Sequence, residues 1–149
     1  MRVVVQRVIN SSVEVDNKIV GKSDKGLMLL VGFTEGDSSK EIDWMVDKVI
    51  NLRIFQDEND KMNLSVKDVN GEILVISQFT LYGDCRKGRR PNFMNALGGN
   101  EAEILYNKFV EMLKETGIKI ETGVFGAHMD VSIQNDGPVT ILLESKKTF

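Results

Sequence analysis

The first 33 residues alternate apolar and polar positions in short runs. That period predicts strands over Arg2 to Ile9, Ser12 to Asp16, Lys18 to Gly21 and Leu27 to Phe33. Turn residues fill the breaks at Asn10-Ser11, Asp16-Asn17 and Ser23 to Gly26. The period then lengthens. Ser38 and Glu41 form a capping box, and Ile42, Met45, Val46, Val49 and Ile50 recur at helical spacing, so one helix with one buried face is expected. Asp57 to Lys61 reads as a solvated polar turn, since it lacks the glycine and terminal glutamate of a calcium loop. After the turn Asn70-Gly71, the apolar run Glu72 to Phe79 predicts a central strand. Residues 84 to 99 are a polar, glycine-containing loop with a short helical turn at Pro91 to Leu97.

A second helix is expected from Asn100, with Glu103 as box partner, Leu105, Phe109, Met112 and Leu113 as its inner stripe, and Gly117 as its stop. Strands follow over Lys119 to Thr122, His128 to Ile133 and Val139 to Leu143, the last two joined by a hairpin turn at Asn135-Asp136-Gly137-Pro138. About seven or eight strands joined by short turns favour antiparallel pairing. The fold class is α+β: two main helices packed on a curved, mainly antiparallel sheet that closes towards a barrel.

The length of 149 residues fits a single domain spanning 1–149 with one good core, and 42% hydrophobic against 28% charged residues fits a globular protein. No apolar stretch approaches the roughly 18 residues of a membrane helix, so no membrane partner is expected. Met1 to Val8 reads as a first strand rather than a signal peptide. The one cysteine, Cys85, excludes an internal disulfide and fits a reducing, cytoplasmic setting. Cys85 and the one histidine, His128, cannot supply a structural zinc site, so no metal and no cofactor are expected.

A net charge of −3 argues mildly against a nucleic-acid-binding domain. Yet Arg86, Lys87, Arg89 and Arg90 crowd around Gly88. They read as a solvated loop or as a patch that contacts phosphates.

Two segments could carry chemistry. Strand alternation would put Ser77, Phe79 and Leu81 on one face, and Gln78, Thr80 and Tyr82 on the other as a polar trio. The trio could line a pocket, or Ser77 and Thr80 could satisfy loop backbone while Gln78 faces solvent. Thr80 has no base beside it in sequence, and His128, among small and apolar residues, reads as structural. In the second segment, Pro138 lacks a donor at the mouth of a strand. An X-Pro bond can be cis, and a cis bond at Gly137-Pro138 would present the Gly137 carbonyl as a fixed acceptor. An enzyme built on these segments works through backbone groups, hydroxyls, water or the substrate itself.

Ser77-Gln78-Phe79-Thr80-Leu81 and Asn135-Asp136-Gly137-Pro138-Val139-Thr140 resemble the two signature motifs of the D-aminoacyl-tRNA deacylase family. Met1 to Val8, Gly71 to Ile76 and Phe125-Gly126-Ala127-His128-Met129 are also similar to the family, and the similarity runs to about residue 145. The resemblance implies hydrolysis of the ester between a D-amino acid, or glycine, and the terminal adenosine of tRNA, with L-aminoacyl-tRNA rejected. It implies a homodimer in which a cis Gly137-Pro138 pair reaches into the other subunit's pocket as the chiral filter. Ser77, Gln78, Phe79 and Thr80 would line the catalytic pocket, Phe125 and Met129 would help bind the substrate, and Arg86, Lys87, Arg89 and Arg90 would contact tRNA. Gly83 stands where relatives often carry alanine. A non-catalytic tRNA-binding module and a deacylase with relaxed chirality are the alternatives.

Overall fold

The computed structural model describes residues Met1–Phe149. Its organising element is β1, Arg2–Val15, a single long strand. One edge of β1 pairs with β3 (Gly26–Gly32) and then β2 (Lys18–Ser23), and the other with β8 (Asp130–Glu144), all antiparallel. The break expected at Asn10-Ser11 does not occur. Ser11 Oγ and Ser23 Oγ lie 2.6 Å apart across the ladder, and Asn10 Nδ2 donates to Gln134 Oε1 at 2.7 Å. Both polar side chains find partners inside the sheet, so no turn is needed to satisfy them. The turn at Asp16-Asn17 forms as expected, with φ of 50° and 62°.

β3 runs parallel to β6 (Glu72–Ser77), and β6 parallel to β7 (Ile120–Thr122). The sheet is therefore mixed, with antiparallel pairings more numerous. The Lys22 N–H donates to Glu121 Oε1 at 3.0 Å, which draws β2 beside β7 and nearly closes the barrel. Near-closure explains the unbroken apolar runs of β3 and β6, which are buried on both faces. Leu27, Leu29, Val31, Ile73 and Val75 face the helices, while Met28, Leu74 and Ile76 join Val8 and Val13 in a second cluster.

Helix α1, Ser39–Asn51, carries the expected Ser38–Glu41 capping box and buries Ile42, Met45, Val46 and Val49. Helix α2, Gly99–Lys114, begins one residue early and without a side-chain cap. Asn100 lies inside the helix, so its box with Glu103 does not form. The buried stripe is Ala102, Tyr106, Phe109, Val110 and Leu113, with Leu105 and Met112 on its flanks. Asp57 to Lys61 is the tip of a small hairpin, β4 (Phe55–Gln56) and β5 (Met62–Leu64), whose strands are too short to show a period.

Three further expectations are corrected. The central strand ends at Ser77 and passes into a 3₁₀ turn, Phe79–Tyr82, so alternation stops there. Within Pro91 to Leu97 only one turn closes, Ala96 N–H to Phe93 O at 2.9 Å, and a bridge between Asp84 and Asn92 folds the preceding loop back on itself. The last two expected strands are one, β8, and Asn135 to Thr140 is not a hairpin turn. Gln6 pairs with Thr140 and Val8 with Asn135, so residues 136–139 face Arg7 alone. The long β1 offers one ladder to both halves of β8, and the donor-free Pro138 leaves it in a wide bulge. No helix is long and apolar enough to cross a membrane.

Candidate active site

Parallel β3 and β6 end side by side, and a cavity of about 390 Å³ opens at their C-terminal ends. Ser77, Gln78 and Phe79 form one wall, the start of α2 another, and Phe125 to Met129 a third. Phe125 is propped by Tyr106, their ring centroids 5.6 Å apart. Tyr106 is fixed in turn by donating to Val75 O at 2.8 Å. The Gln78 N–H donates to Val31 O at 2.7 Å, which ties the turn to β3. The turn closes through Leu81 N–H to Gln78 O and Gly83 N–H to Thr80 O, at 3.3 and 2.9 Å. The Phe79 and Thr80 N–H groups stand at the start of this turn, where no preceding helical turn supplies an acceptor.

Thr80 is exposed and does not form the cavity wall, but Gln78 brings it to the site, with Nε2 donating to Thr80 Oγ1 at 2.6 Å. The threonine oxygen thus meets a donor, which cannot take its proton. Its own hydroxyl hydrogen is free to point at a ligand. Tyr82, expected beside Gln78 and Thr80, is buried beneath Arg2, whose guanidinium lies 4.6 Å from the ring centroid. Burial pushes its phenol well above the ordinary value. The trio is a pair because the 3₁₀ turn rotates residue 82 inward.

His128 is not structural. It stands at the cavity rim, 93% exposed, with Nε2 3.7 Å from Asp130 Oδ1. No hydrogen bond joins it to Ser77 or Thr80, so the cavity holds no triad. No group of three His, Cys, Asp or Glu side chains is placed to hold a metal ion.

The Gly137–Pro138 bond is cis, and both residues are exposed on the β8 bulge, outside the wall of this chain's own cavity. The bulge is held from beneath. Asn135 Nδ2 donates to Arg7 O at 2.9 Å and Val139 O at 3.1 Å, while Asn135 Oδ1 accepts from Gln6 and Thr140. Arg7 is buried, donates to Ile54 O at 2.7 Å and Gln56 Oε1 at 2.8 Å, and has Nε 3.1 Å from Asp136 Oδ2. That Nε–H is not aligned for a hydrogen bond, so we count the contact as an ion pair only. Gln6 and Arg7 were not singled out from the sequence, and Asn135 stood in its motif without a role. The signal was a cation inside the apolar run Val3 to Val8, where only a buried partner justifies it.

The basic loop is the tip beyond the Asp84–Asn92 bridge. Arg86 folds back on Asp84 through Nε, at 2.9 and 3.0 Å from the two carboxylate oxygens, and pulls that carboxyl down to about 2. Lys87, Arg89 and Arg90 are exposed and form no ion pair.

A family described as D-Tyr-tRNA(Tyr) deacylase matches residues 4–144. A Clostridium perfringens protein named D-aminoacyl-tRNA deacylase is 68% identical over the whole of both chains, and one of the same name from Clostridium acetobutylicum is 60% identical over the same span. Among solved structures, one titled c-Myc DNA Unwinding Element Binding Protein superposes with a TM-score of 0.91 at 45% identity, covering 97% of this chain and 98% of that one. A probable eukaryotic D-amino acid tRNA deacylase superposes with a TM-score of 0.82 at 20% identity, over 95% and 97% of the two chains, and shares the fold.

Proposed function

The chain belongs to the D-aminoacyl-tRNA deacylase family, and on that premise we propose that it hydrolyses the ester linking a D-amino acid, or glycine, to the terminal adenosine of tRNA. The observation that carries this reading is the cavity edge at Phe79 and Thr80: two backbone N–H groups at the start of the 3₁₀ turn beside a fixed hydroxyl, with no side-chain base. Such an edge suits a substrate that is already activated. An aminoacyl ester needs positioning and donors for the oxygen that becomes charged, and these can supply several kcal/mol.

In this reading Phe125 and Met129 receive the aminoacyl end, Ser77, Gln78 and Phe79 shape the reacting corner, and Thr80 orients rather than attacks. The nucleophile is water, or water assisted by the RNA's own hydroxyl. Gly137 and Pro138 are the chiral filter, and they act from a second copy of the chain. The exposed bulge and the exposed Ile9, Ile133 and Leu142 on β1 and β8 support a homodimer through that face. A steric wall made of backbone rejects L-residues and leaves the side chain unread. Lys87, Arg89 and Arg90 meet the acceptor end of tRNA, and Arg86 braces the loop. The protein works as one domain in the cytoplasm.

The test is deacylation of matched D-Tyr-tRNA, L-Tyr-tRNA and Gly-tRNA by the purified chain in EDTA. The D and glycyl esters should be lost while the L ester persists. Loss of the L ester as well would replace the reading with a relaxed-chirality enzyme. Survival of all three, with EDTA and again with added divalent metal, would overturn it in favour of a tRNA-binding module.

A further inference from the structure

Beside the cavity lies an apolar strip of which the hydrolytic reading uses only Phe79. Phe79 is more than half exposed at the cavity rim, and the Phe93 ring meets it edge-on, with centroids 5.2 Å apart at 70°. The next residue, Met94, is 86% exposed. A soluble chain gains nothing by holding such groups in water, and a mobile loop would fold them away. This loop is tied down. The Asp84 and Asn92 backbones exchange hydrogen bonds of 2.8 and 2.9 Å, and Met94 N–H donates to Asn92 Oδ1 at 2.8 Å. Thr34 Oγ1 donates to Asn95 O at 2.6 Å, and Leu97 N–H to Phe33 O at 2.9 Å. Gly83 lets the ring lie close, since a Cβ there would stand 3.0 Å from Phe93 Cε1.

We propose that the Phe79–Phe93–Met94 strip is a stacking platform for the unpaired nucleobases that precede the terminal adenosine of the RNA substrate. The inference rests on the deacylase reading and adds a recognition element outside the ester pocket. The strip is continuous with the cavity through Phe79, so it lies beside one path for a strand whose last residue enters the cavity. It also springs from the same bridge, Asp84–Asn92, that carries the free cations Lys87, Arg89 and Arg90. Two aromatic rings and a neighbouring thioether beside unpaired cations match a single strand, whose bases offer a face and whose phosphates offer charge. The three unpaired cations favour a polyanionic strand as the occupant. Base stacking also reads no sequence, because every base has a π-face.

The test compares D-Tyr-tRNA with D-tyrosyl-adenosine, which lacks the preceding nucleotides. In Phe93→Leu and Met94→Ala, the ratio of kcat/KM for the full RNA to that for the adenosine ester should fall about tenfold, through KM, while Phe93→Tyr retains it. A ratio within about twofold of the parent, including equal losses on both substrates, would overturn the platform and leave the strip as a brace for Phe79. A second measurement does not depend on hydrolysis. An RNA hairpin ending in a single-stranded 3′ tail, with 2-aminopurine one position before the terminal adenosine, should be quenched on binding, and the quench should be lost in Phe93→Leu. Quenching that persists in both variants would refute the platform. Quenching without deacylation of any aminoacyl-tRNA would leave the platform standing and remove the enzymatic reading.

Discussion

Gly137→Ala is the most demanding perturbation, because the structure specifies both of its consequences. Gly137 has φ of +117°, a region that side chains with a Cβ rarely adopt, at a cost of about 1–3 kcal/mol. The gain from a stiffer unfolded chain, about 0.4–1 kcal/mol, offsets part of this. A net loss of about 1–2 kcal/mol lowers the thermal midpoint by roughly 2–8 °C in a chain of this size. The added Cβ would stand 3.0 Å from Arg7 Nη2 and from Val139 Cγ2, and 3.2 Å from Val139 N. The guanidinium end can yield, but the Val139 backbone cannot, so the bulge itself must move. The contacts call for a shift of a few tenths of an ångström, a fraction of the roughly 1 Å misplacement that costs about a hundredfold in a positioned site. The ratio of D-Tyr-tRNA to L-Tyr-tRNA deacylation should therefore fall about tenfold, with the protein still folded. The assay pairs that ratio with a thermal melt. An unchanged ratio together with the expected drop in midpoint would show that the bulge is structural and has no part in the filter. An unchanged midpoint would refute the strain argument.

Thr80→Ala should reduce kcat/KM for D-Tyr-tRNA by about tenfold or more while Thr80→Ser stays within about threefold, the pattern of a donor rather than a nucleophile; full activity in the alanine variant would remove Thr80 from the site. His128→Ala should cost less than about threefold, and a loss beyond about a hundredfold would show that the rim histidine is the base this site is argued to lack. Reversing Lys87, Arg89 and Arg90 to Glu should weaken tRNA binding and flatten its salt dependence by about 0.7–0.9 in the log–log slope for each lost phosphate contact, leaving the D/L ratio intact. A parallel change in the D/L ratio would mean that the loop reaches the reacting end. Arg86 holds the Asp84 carboxyl near 2, below its ordinary value, so their pairing is fully present above about pH 4 and is lost as pH falls through about 2. An NMR titration of that carboxyl should show the low midpoint, and Arg86→Gln should return it to the ordinary range.

The elements with strong periods were legible. The capping box of α1, the turn at Asp16-Asn17 and the apolar β3 and β6 stand as the pattern predicts, because local chemistry and tertiary burial agree there. Two of the misreadings share one cause. Asn10-Ser11 and Asn135 to Pro138 carry genuine turn residues, yet both lie along β1 and β8, whose pairing supplies the partners a turn would otherwise provide. Sequence shows local turn chemistry but not the length of the neighbouring strand. The same limit hid Arg7 and Gln6, whose purpose appears only when a bulge from the other end of the chain lies over them. Of the two motifs, the one at Ser77 to Thr80 was legible as residues but not as geometry, since the 3₁₀ turn removes Tyr82 and leaves Gln78 and Thr80 as a bonded pair.

In the proposed function the arrangement separates two tasks, ester cleavage and chiral rejection. There the cavity end of β6 offers donors to an ester, and nothing in its wall discriminates the hand of an amino acid. The bulge of β8 offers rigid backbone in solvent, held by Asn135 and Arg7, and nothing near it can cleave a bond. Each is incomplete alone. On that proposal a cavity without the bulge would accept either enantiomer, and a bulge without the cavity would be an exposed interruption of a strand that pairs on both sides of it. Rigidity also belongs on the bulge rather than on the cavity. Rejection requires a wall that does not move, whereas an activated ester tolerates modest help. A buried arginine and an amide clamp of four hydrogen bonds beneath Gly137 and Pro138, against a single side-chain hydrogen bond between Gln78 and Thr80, follow that division of labour.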